Sequence, residues 1–303
     1  MKFVHRNSLN TIIFIGDKMR FKIFRQHGAL NSPSIFDAFE QGLRATGHDI
    51  VDSNEDVAVI WSVLWNGRML PNKAIFDESR KNNKPVIIIE VGNLKRNITW
   101  RICLNHIHGL GTFGNDEDLN IDRPAELGIY LSEPKKERKK QILIATQHSK
   151  SLQWEGMPAM DQWVYSVVEK IRQQTDQTII LRPHPRSPMP GIEHEFKNVI
   201  RQSPNKIVGT YDDFDIQYNY HCVINHNSGV PIHAAIAGTP VICDKSSLAY
   251  PVSDSIENIL NPTLPDREEW LVRIAHTEWT VEEIAKGIPI MRLQKHILSQ
   301  LNT

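Results

Sequence analysis

The sequence predicts an α/β protein of two consecutive units, each a mainly parallel sheet with helices on its faces. Three observations lead there. Short apolar runs recur along the chain, among them Val57-Ala58-Val59-Ile60-Trp61-Ser62-Val63, Pro85-Val86-Ile87-Ile88-Ile89-Glu90-Val91-Gly92 and Gln141-Ile142-Leu143-Ile144-Ala145-Thr146. Strands covered on both faces read this way. Segments of helical periodicity separate the runs, and strands alternating with helices point to parallel sheets. The alternation also stops at a charged stretch, 132–140, and then starts afresh.

Taken in order, residues 1–20 are ambiguous between a strand and a linker. Residues 21–26 make a first strand, followed by His27-Gly28-Ala29-Leu30-Asn31-Ser32-Pro33. Asn31 or Ser32 can cap a helix with Pro33 in its first turn. Ile35, Phe36, Phe39 and Leu43 lie at helical spacing, and Gly47 stops the helix. A short strand at 49–52, the strands at 57–63 and 85–92, and a helix around 72–81 complete the first alternation. Residues 93–130 carry weak signals and read as a long loop. The 132–140 stretch has Pro134 near its start and mixes acids with bases, which suits a linker or exposed turn better than a nucleic-acid patch.

The second alternation has a strand at 141–146, a polar loop to Trp154, and a helix over 160–175 with Trp163, Val164, Val167, Val168 and Ile171 on one face. Strands follow at 178–182, 222–224 and 240–243, with a minor one at 206–208. Helices are expected at 265–276 and 281–301.

Bulk properties narrow the function classes. The chain of 303 residues has 35 basic and 35 acidic side chains. A neutral balance removes any global electrostatic case for nucleic acid or anionic membrane, although one basic groove is compatible with it. No apolar run is long enough to span a bilayer. The Thr11–Ile15 run is too short for a signal sequence and is followed by charges. Three cysteines, none in a C-x-x-C pair, suit a reducing, cytoplasmic compartment.

Three stretches carry chemistry. Arg182-Pro183-His184-Pro185-Arg186 follows a strand, and ligands of open α/β sheets bind beyond the carboxyl ends of strands. The prolines hold that loop extended, so Arg182, His184 and Arg186 present donors and positive charge to an oxyanion. Asn225-His226-Asn227-Ser228-Gly229 joins a strand to a helix. Asn227 or Ser228 can cap it, Gly229 permits close approach of a ligand to backbone, and free amides at a helix start suit a phosphate. Ser246 and Ser247, after the next strand, offer hydroxyls for a second phosphate oxygen or a ribose. The bland readings are a surface loop, an ordinary capped helix and a polar turn. All three stretches fall at strand ends in one half of the chain.

Residues 141–250, with R-P-H-P-R followed by N-H-N-S-G-V-P-I-H-A-A-I-A-G-T-P-V-I, resemble the C-terminal half of a two-Rossmann (GT-B type) glycosyltransferase, nearest the branch that includes capsular polysaccharide transferases. The resemblance implies two Rossmann-like domains facing across a cleft: 1–133 for the acceptor, 141–280 for the nucleotide-sugar donor, and 281–303 as a helix packing back on the N-terminal domain. It implies that Arg182, His184, Arg186, Asn227, Ser228 and Gly229 touch donor phosphates, with Ser246 and Ser247 nearby. His233 stands where such enzymes often carry a ribose-binding acid. The expected reaction is metal-independent and needs no cofactor beyond the nucleotide-diphosphate sugar.

The N-terminal half would then supply the acceptor site. His27 is the candidate general base by position and type. Asn31, Trp65 and Arg68 are candidate acceptor contacts, Trp65 by stacking and Arg68 by charge. The expected acceptor is a glycan hydroxyl, with a hydroxymethylated pyrimidine in DNA as the alternative. A sugar-nucleotide epimerase and a non-catalytic nucleotide-sugar-binding module are the rivals outside glycosyl transfer.

Overall fold

A computed structural model describes residues 18–187, 189–206, 208, 214–215 and 218–303. The Thr11–Ile15 run, Pro188, and Ile207 of the expected minor strand lie outside the described residues. The chain divides into two units, 1–129 with 272–303, and 130–271.

The first unit contains β1 (Arg20–Ile23), α1 (Pro33–Ala45), β2 (Asp49–Ile50), β3 (Val57–Trp61), α2 (Asn72–Lys81), β4 (Val86–Val91), β5 (Thr99–Leu104) and the short α3 (Arg123–Glu126). β2, β1, β3 and β4 lie side by side and parallel, and β5 runs antiparallel at the far side of β4. The chain leaves β1 in one direction to β2 and returns to its other side at β3. The order reverses between β1 and β3, where a doubly wound sheet opens a crevice.

α1 forms as its pattern requires. Ile35, Phe36, Phe39 and Leu43 are buried, and Gly47 ends the helix in the left-handed conformation, φ 83°. At Gly42 an added Cβ would meet the carbonyl oxygen of Ile284 at 2.2 Å, so two backbones pack here with no room for a side chain.

The second unit contains β6 (Ile142–Ala145), α4 (Met160–Arg172), β7 (Ile179–Arg182), β8 (Val199–Arg201), the two-residue pair β9 (Asn205–Lys206) and β10 (Phe214–Asp215), β11 (Cys222–Asn225), α5 (Val230–Ile236) and β12 (Val241–Cys243). Its main sheet has the order β12, β11, β6, β7, β8, all parallel. β6 is central, and the order reverses between β6 and β11. Ile144, Leu181, Ile224 and Ile242 pack with Val164, Val168 and Ile171 of α4 in one apolar cluster. Burying each such side chain stabilises by roughly 1.5–3 kcal/mol.

α6 (Glu268–Ala275) leads back to the first unit, where β13 (Glu278–Thr280), α7 (Val281–Ala285) and α8 (Ile288–Leu301) complete it. β13 pairs antiparallel with β5, with Trp279 opposite Trp100. Ile284, Ile290, Leu293 and Ile297 then join the cluster of Phe36, Phe39, Trp61 and Trp100. The helix expected over 281–301 is broken in two because Gly287 is left-handed, φ 76°. Residues 272–280, grouped by sequence with the second unit, belong to the first one because β13 extends its sheet.

Four strands, β5, β8, β10 and β13, were hidden in the sequence. β5 lies within the stretch read as loop; its apolar Trp100, Ile102 and Leu104 alternate with Thr99, Arg101 and Cys103, all six buried. β13 carries Glu278, which is 1% exposed and accepts bonds from the Leu94 amide at 3.0 Å and the Thr99 hydroxyl at 2.7 Å. A buried polar residue satisfied from another part of the chain leaves no local signature.

Candidate functional site

The carboxyl edge of the second sheet is organised around the reversal between β6 and β11. Asn225 ends β11 fully buried. Its Nδ2 donates to the Ala145 carbonyl of β6 at 2.8 Å, and its Oδ1 accepts from the Ser228 amide at 2.8 Å and the Ser228 hydroxyl at 3.0 Å. One side chain therefore ties the two strand ends and shapes the turn.

Asn227, after the end of β11, is 4% exposed. Gln147, in the loop after β6, donates to its Oδ1 at 2.8 Å and accepts from its amide at 3.1 Å. Its Nδ2 donates to Ser246 Oγ at 2.8 Å. Ser246 in turn donates to Asp244 Oδ1 at 2.6 Å. Burial pushes the Asp244 carboxyl up, but hydrogen bonds from Ser246 and the Lys245 amide, with His226 nearby, together outweigh it and hold the group below its ordinary value. Ser247 is buried and accepts from the Ala249 amide at 3.2 Å. Gly229, at the helix cap, has φ −71°, an ordinary helical value. The amides of Asn227 and Ser228 are taken by side chains. These residues form the frame of the edge.

His226 also belongs to the frame. Its ring stacks on Trp154 at 4.6 Å and 22°, and its Nε2 lies 2.9 Å from the Gln153 carbonyl, so Nε2 carries the proton. Burial lowers its pKa. His233 stacks on Tyr218 at 6.3 Å.

Unsatisfied hydrogen-bonding groups lie on the β7 side. Arg182, the last residue of β7, is 7% exposed. Its Nη2 donates to the Tyr220 hydroxyl at 3.0 Å, while Nε and Nη1 have no partner. Among the described residues no carboxylate pairs with it. A buried guanidinium in that state costs several kcal/mol. His184, two residues on, is fixed by its amide, which donates to Thr146 Oγ1 at 2.8 Å. Its ring Nδ1 accepts from the Arg186 amide at 3.1 Å. Burial lowers the His184 pKa to about 4, helped by His148 and Arg186. Arg186 is exposed.

The loop after β6 was read only as polar, yet it occupies the centre of this edge, because β6 separates β7 from β11. Strand adjacency is a nonlocal property, so no local signal could have promoted that loop.

In the first unit, His27 closes a short 3-10 turn after β1 and is half-buried. Asn72 of α2 is fully buried and donates to the His27 carbonyl at 3.2 Å and the Trp61 carbonyl at 2.7 Å, tying the ends of β1 and β3. Asn31 is exposed, and Ser32, at the cap position, makes no side-chain cap bond. Trp65 packs on Phe76 at 5.7 Å, and Arg68 is exposed on a 3-10 turn. Sequence reading missed a neighbouring pair. Ser62, directly after β3, is left-handed at φ 63° and donates from Oγ to Glu90 Oε2 at 2.5 Å. Backbone strain in a non-glycine residue clusters at functional edges.

The chain contains two Asp-x-Asp triplets, at 116–118 and 213–215. In the first, Asp116 pairs with Arg273 at 3.4 Å and Asp118 with Arg292 at 2.5 Å. Asp213 of the second lies outside the described residues. Among the described residues no group of three or more potential metal-ligating side chains occurs. No helix among them is long and apolar enough to cross a membrane.

No family model matches the sequence, and no curated protein does. Among solved structures the chain is similar to the beta Kdo 2,7 transferase of Thermosulfurimonas dismutans KpsC, with 15% identity over 90% of this chain and 99% of that one, TM-score 0.49. The beta Kdo 2,4 transferase of the same organism's KpsC gives 11% identity over 86% and 91%, TM-score 0.47. A UDP-GlcNAc 2-epimerase of Methanocaldococcus jannaschii, solved with UDP-GlcNAc and UDP, gives 11% over 92% and 100%, TM-score 0.29. The assignment of two Rossmann-like units rests on the strand orders themselves.

Proposed function

We propose that the chain is a glycosyltransferase that moves a sugar from a nucleotide-diphosphate sugar to an acceptor hydroxyl. The observation that carries this reading is Arg182, a buried cation with two unpartnered N–H positions at the carboxyl edge of a doubly wound sheet. A phosphate oxygen would satisfy both its charge and its donors. Arg182 and His184 would hold the diphosphate and stabilise the charge that builds on it as the bond to the sugar breaks. Asn225, Asn227 and Gln147 would keep the strand ends in place.

The acceptor oxygen attacks the anomeric carbon, the nucleoside diphosphate leaves with the bonding electrons, and a base takes the hydroxyl proton. His27 is the proposed base. Glu90 is the second candidate, favoured by the hydrogen bond that orients its carboxylate. The side chains named here would meet the diphosphate charge without a cofactor, and the preferred acceptor is a glycan.

A thermal-shift and titration panel of nucleoside diphosphates and sugar nucleotides tests the reading, because a ligand of the folded state raises its melting temperature. Donor consumption should require an acceptor. Consumption without one, yielding an isomerised sugar nucleotide, would mark an epimerase; binding without turnover over a broad acceptor panel would mark a binding module.

A further inference from the structure

We propose that His148 and His184 act together as a paired N–H clamp on one anionic group of the ligand, a role that extends the nucleotide-sugar reading and rests on it. His148 lies in the loop after β6 and His184 in the loop after β7, and these strands are neighbours. Their rings sit edge to face, 5.3 Å apart.

Each ring is set in the same way. The Lys150 amide donates to His148 Nδ1 at 3.2 Å, and the Arg186 amide donates to His184 Nδ1 at 3.1 Å. A nitrogen that accepts an N–H carries no proton, so in both neutral rings the proton is on Nε2. Neither Nε2 has a hydrogen-bond partner among the described residues, and neither is sealed from solvent. Two identical donors thus stand side by side at the sheet edge, and Arg182 ends β7, the strand whose loop carries His184.

The two loops are locked to each other. Ser187 Oγ donates to Ser149 Oγ at 2.8 Å and accepts from the Ser149 amide at 3.1 Å, and the His184 amide holds Thr146. Trp154 Nε1 donates to the His148 carbonyl at 3.1 Å. Donors held this way lose little freedom on binding. Burial, with Arg186 and Lys150 nearby, lowers the His148 pKa, and that of His184 falls to about 4, so the pair donates as neutral rings at neutral pH and does not repel itself.

The chemistry of histidine separates the clamp from a structural role. Asparagine reproduces the Nδ1 acceptor and removes the outer donor; glutamine keeps a donor near Nε2. Titration of inorganic pyrophosphate and of uridine diphosphate is measured on the wild type, His148→Asn, His148→Gln, His184→Asn and the double Asn variant, with melting curves as a check on folding. The clamp predicts about tenfold weaker pyrophosphate binding for His148→Asn, the scale of one hydrogen bond to a charged group. It predicts near wild-type binding for His148→Gln, and a double variant weaker by less than the product of the two single effects, because both rings hold one group. Equal loss in the Asn and Gln variants, no loss in His148→Asn, or a wild type that does not bind pyrophosphate each overturns the clamp. The clamp outcome with uridine diphosphate no tighter than pyrophosphate keeps the clamp and removes the nucleotide reading.

Discussion

Gln147 and Asn227 bond to each other twice, side chain to side chain at 2.8 Å and amide to side chain at 3.1 Å, across the point where the strand order of the second sheet reverses. Each is 4% exposed. Their pairing joins the loop after β6 to the turn before α5. A crevice at such a reversal keeps its shape only if the two loops that border it are held.

Removing either partner leaves buried polar groups of the other unsatisfied. Gln147→Ala and Asn227→Ala are each expected to lower stability by about 1–3 kcal/mol. In urea melts the double variant should lose less than the sum of the two singles, since they share one interaction. A fully additive result would show that the pair is not coupled.

Arg182 should behave in the opposite way. Replacing it with methionine removes a buried charge that no carboxylate among the described residues pairs with, at the cost of one bond to Tyr220. The apo protein is expected to keep or gain stability, because an unpaired buried cation is destabilising. Ligand affinity should fall by about 1.5–3 kcal/mol, the range for hydrogen bonds to a charged group. Calorimetric melts with and without ligand measure both; loss of stability with unchanged affinity would make Arg182 a structural residue.

His276 gives a pH prediction for the first unit. Its Nδ1 lies 2.7 Å from the Val272 carbonyl and its Nε2 accepts from the Asn120 amide at 3.0 Å, so the neutral ring is fully used. Burial lowers its pKa from 6.5 to about 4, against the bond to Val272 and with Arg292 and Arg123 nearby. The unfolded chain therefore binds the proton first. This contribution is complete above pH 6.5, declines as pH falls from 6.5 toward 4, and is gone below that. The slope is about 1.4 kcal/mol per pH unit at its steepest. His276→Gln should flatten stability against pH in that window, read from denaturant midpoints.

The two base candidates separate by kinetics. If His27 takes the acceptor proton, His27→Ala should lower kcat by about 10²–10⁴-fold with donor binding retained. If Glu90 does so, Glu90→Gln shows that pattern instead, and His27→Ala leaves kcat within a few fold. Normal turnover in both variants would remove the first sheet's edge as the source of the base.

Much of the fold is legible in the sequence. The apolar runs at β3, β4, β6, β7 and β11 read as buried strands because every residue in them is apolar or nearly so. α1 and α4 read as helices because their core residues repeat at helical spacing. β5 and β13 do not read this way. Arg101 is 5% exposed and Glu278 1%, and each is met by a group far off in sequence: Arg101 Nη2 lies 3.8 Å from the Glu278 carboxylate, and the Thr99 hydroxyl donates to Glu278 at 2.7 Å.

At the candidate site the sequence by itself determined the Arg182-Pro-His184 loop, the Asn225–Gly229 turn and their places at strand ends, because prolines, caps and apolar runs act over a few residues. Tertiary structure decided which loops are neighbours. It put β6 between β7 and β11, brought Gln147 and His148 to the centre, and turned Asn227 and Ser246 into a hydrogen-bonded frame. It also decided that the Arg182 guanidinium is buried with Nε and Nη1 left without hydrogen-bond partners. Strand order and the saturation of buried polar groups depend on contacts between residues 38 to 80 positions apart, and these have no local pattern to read.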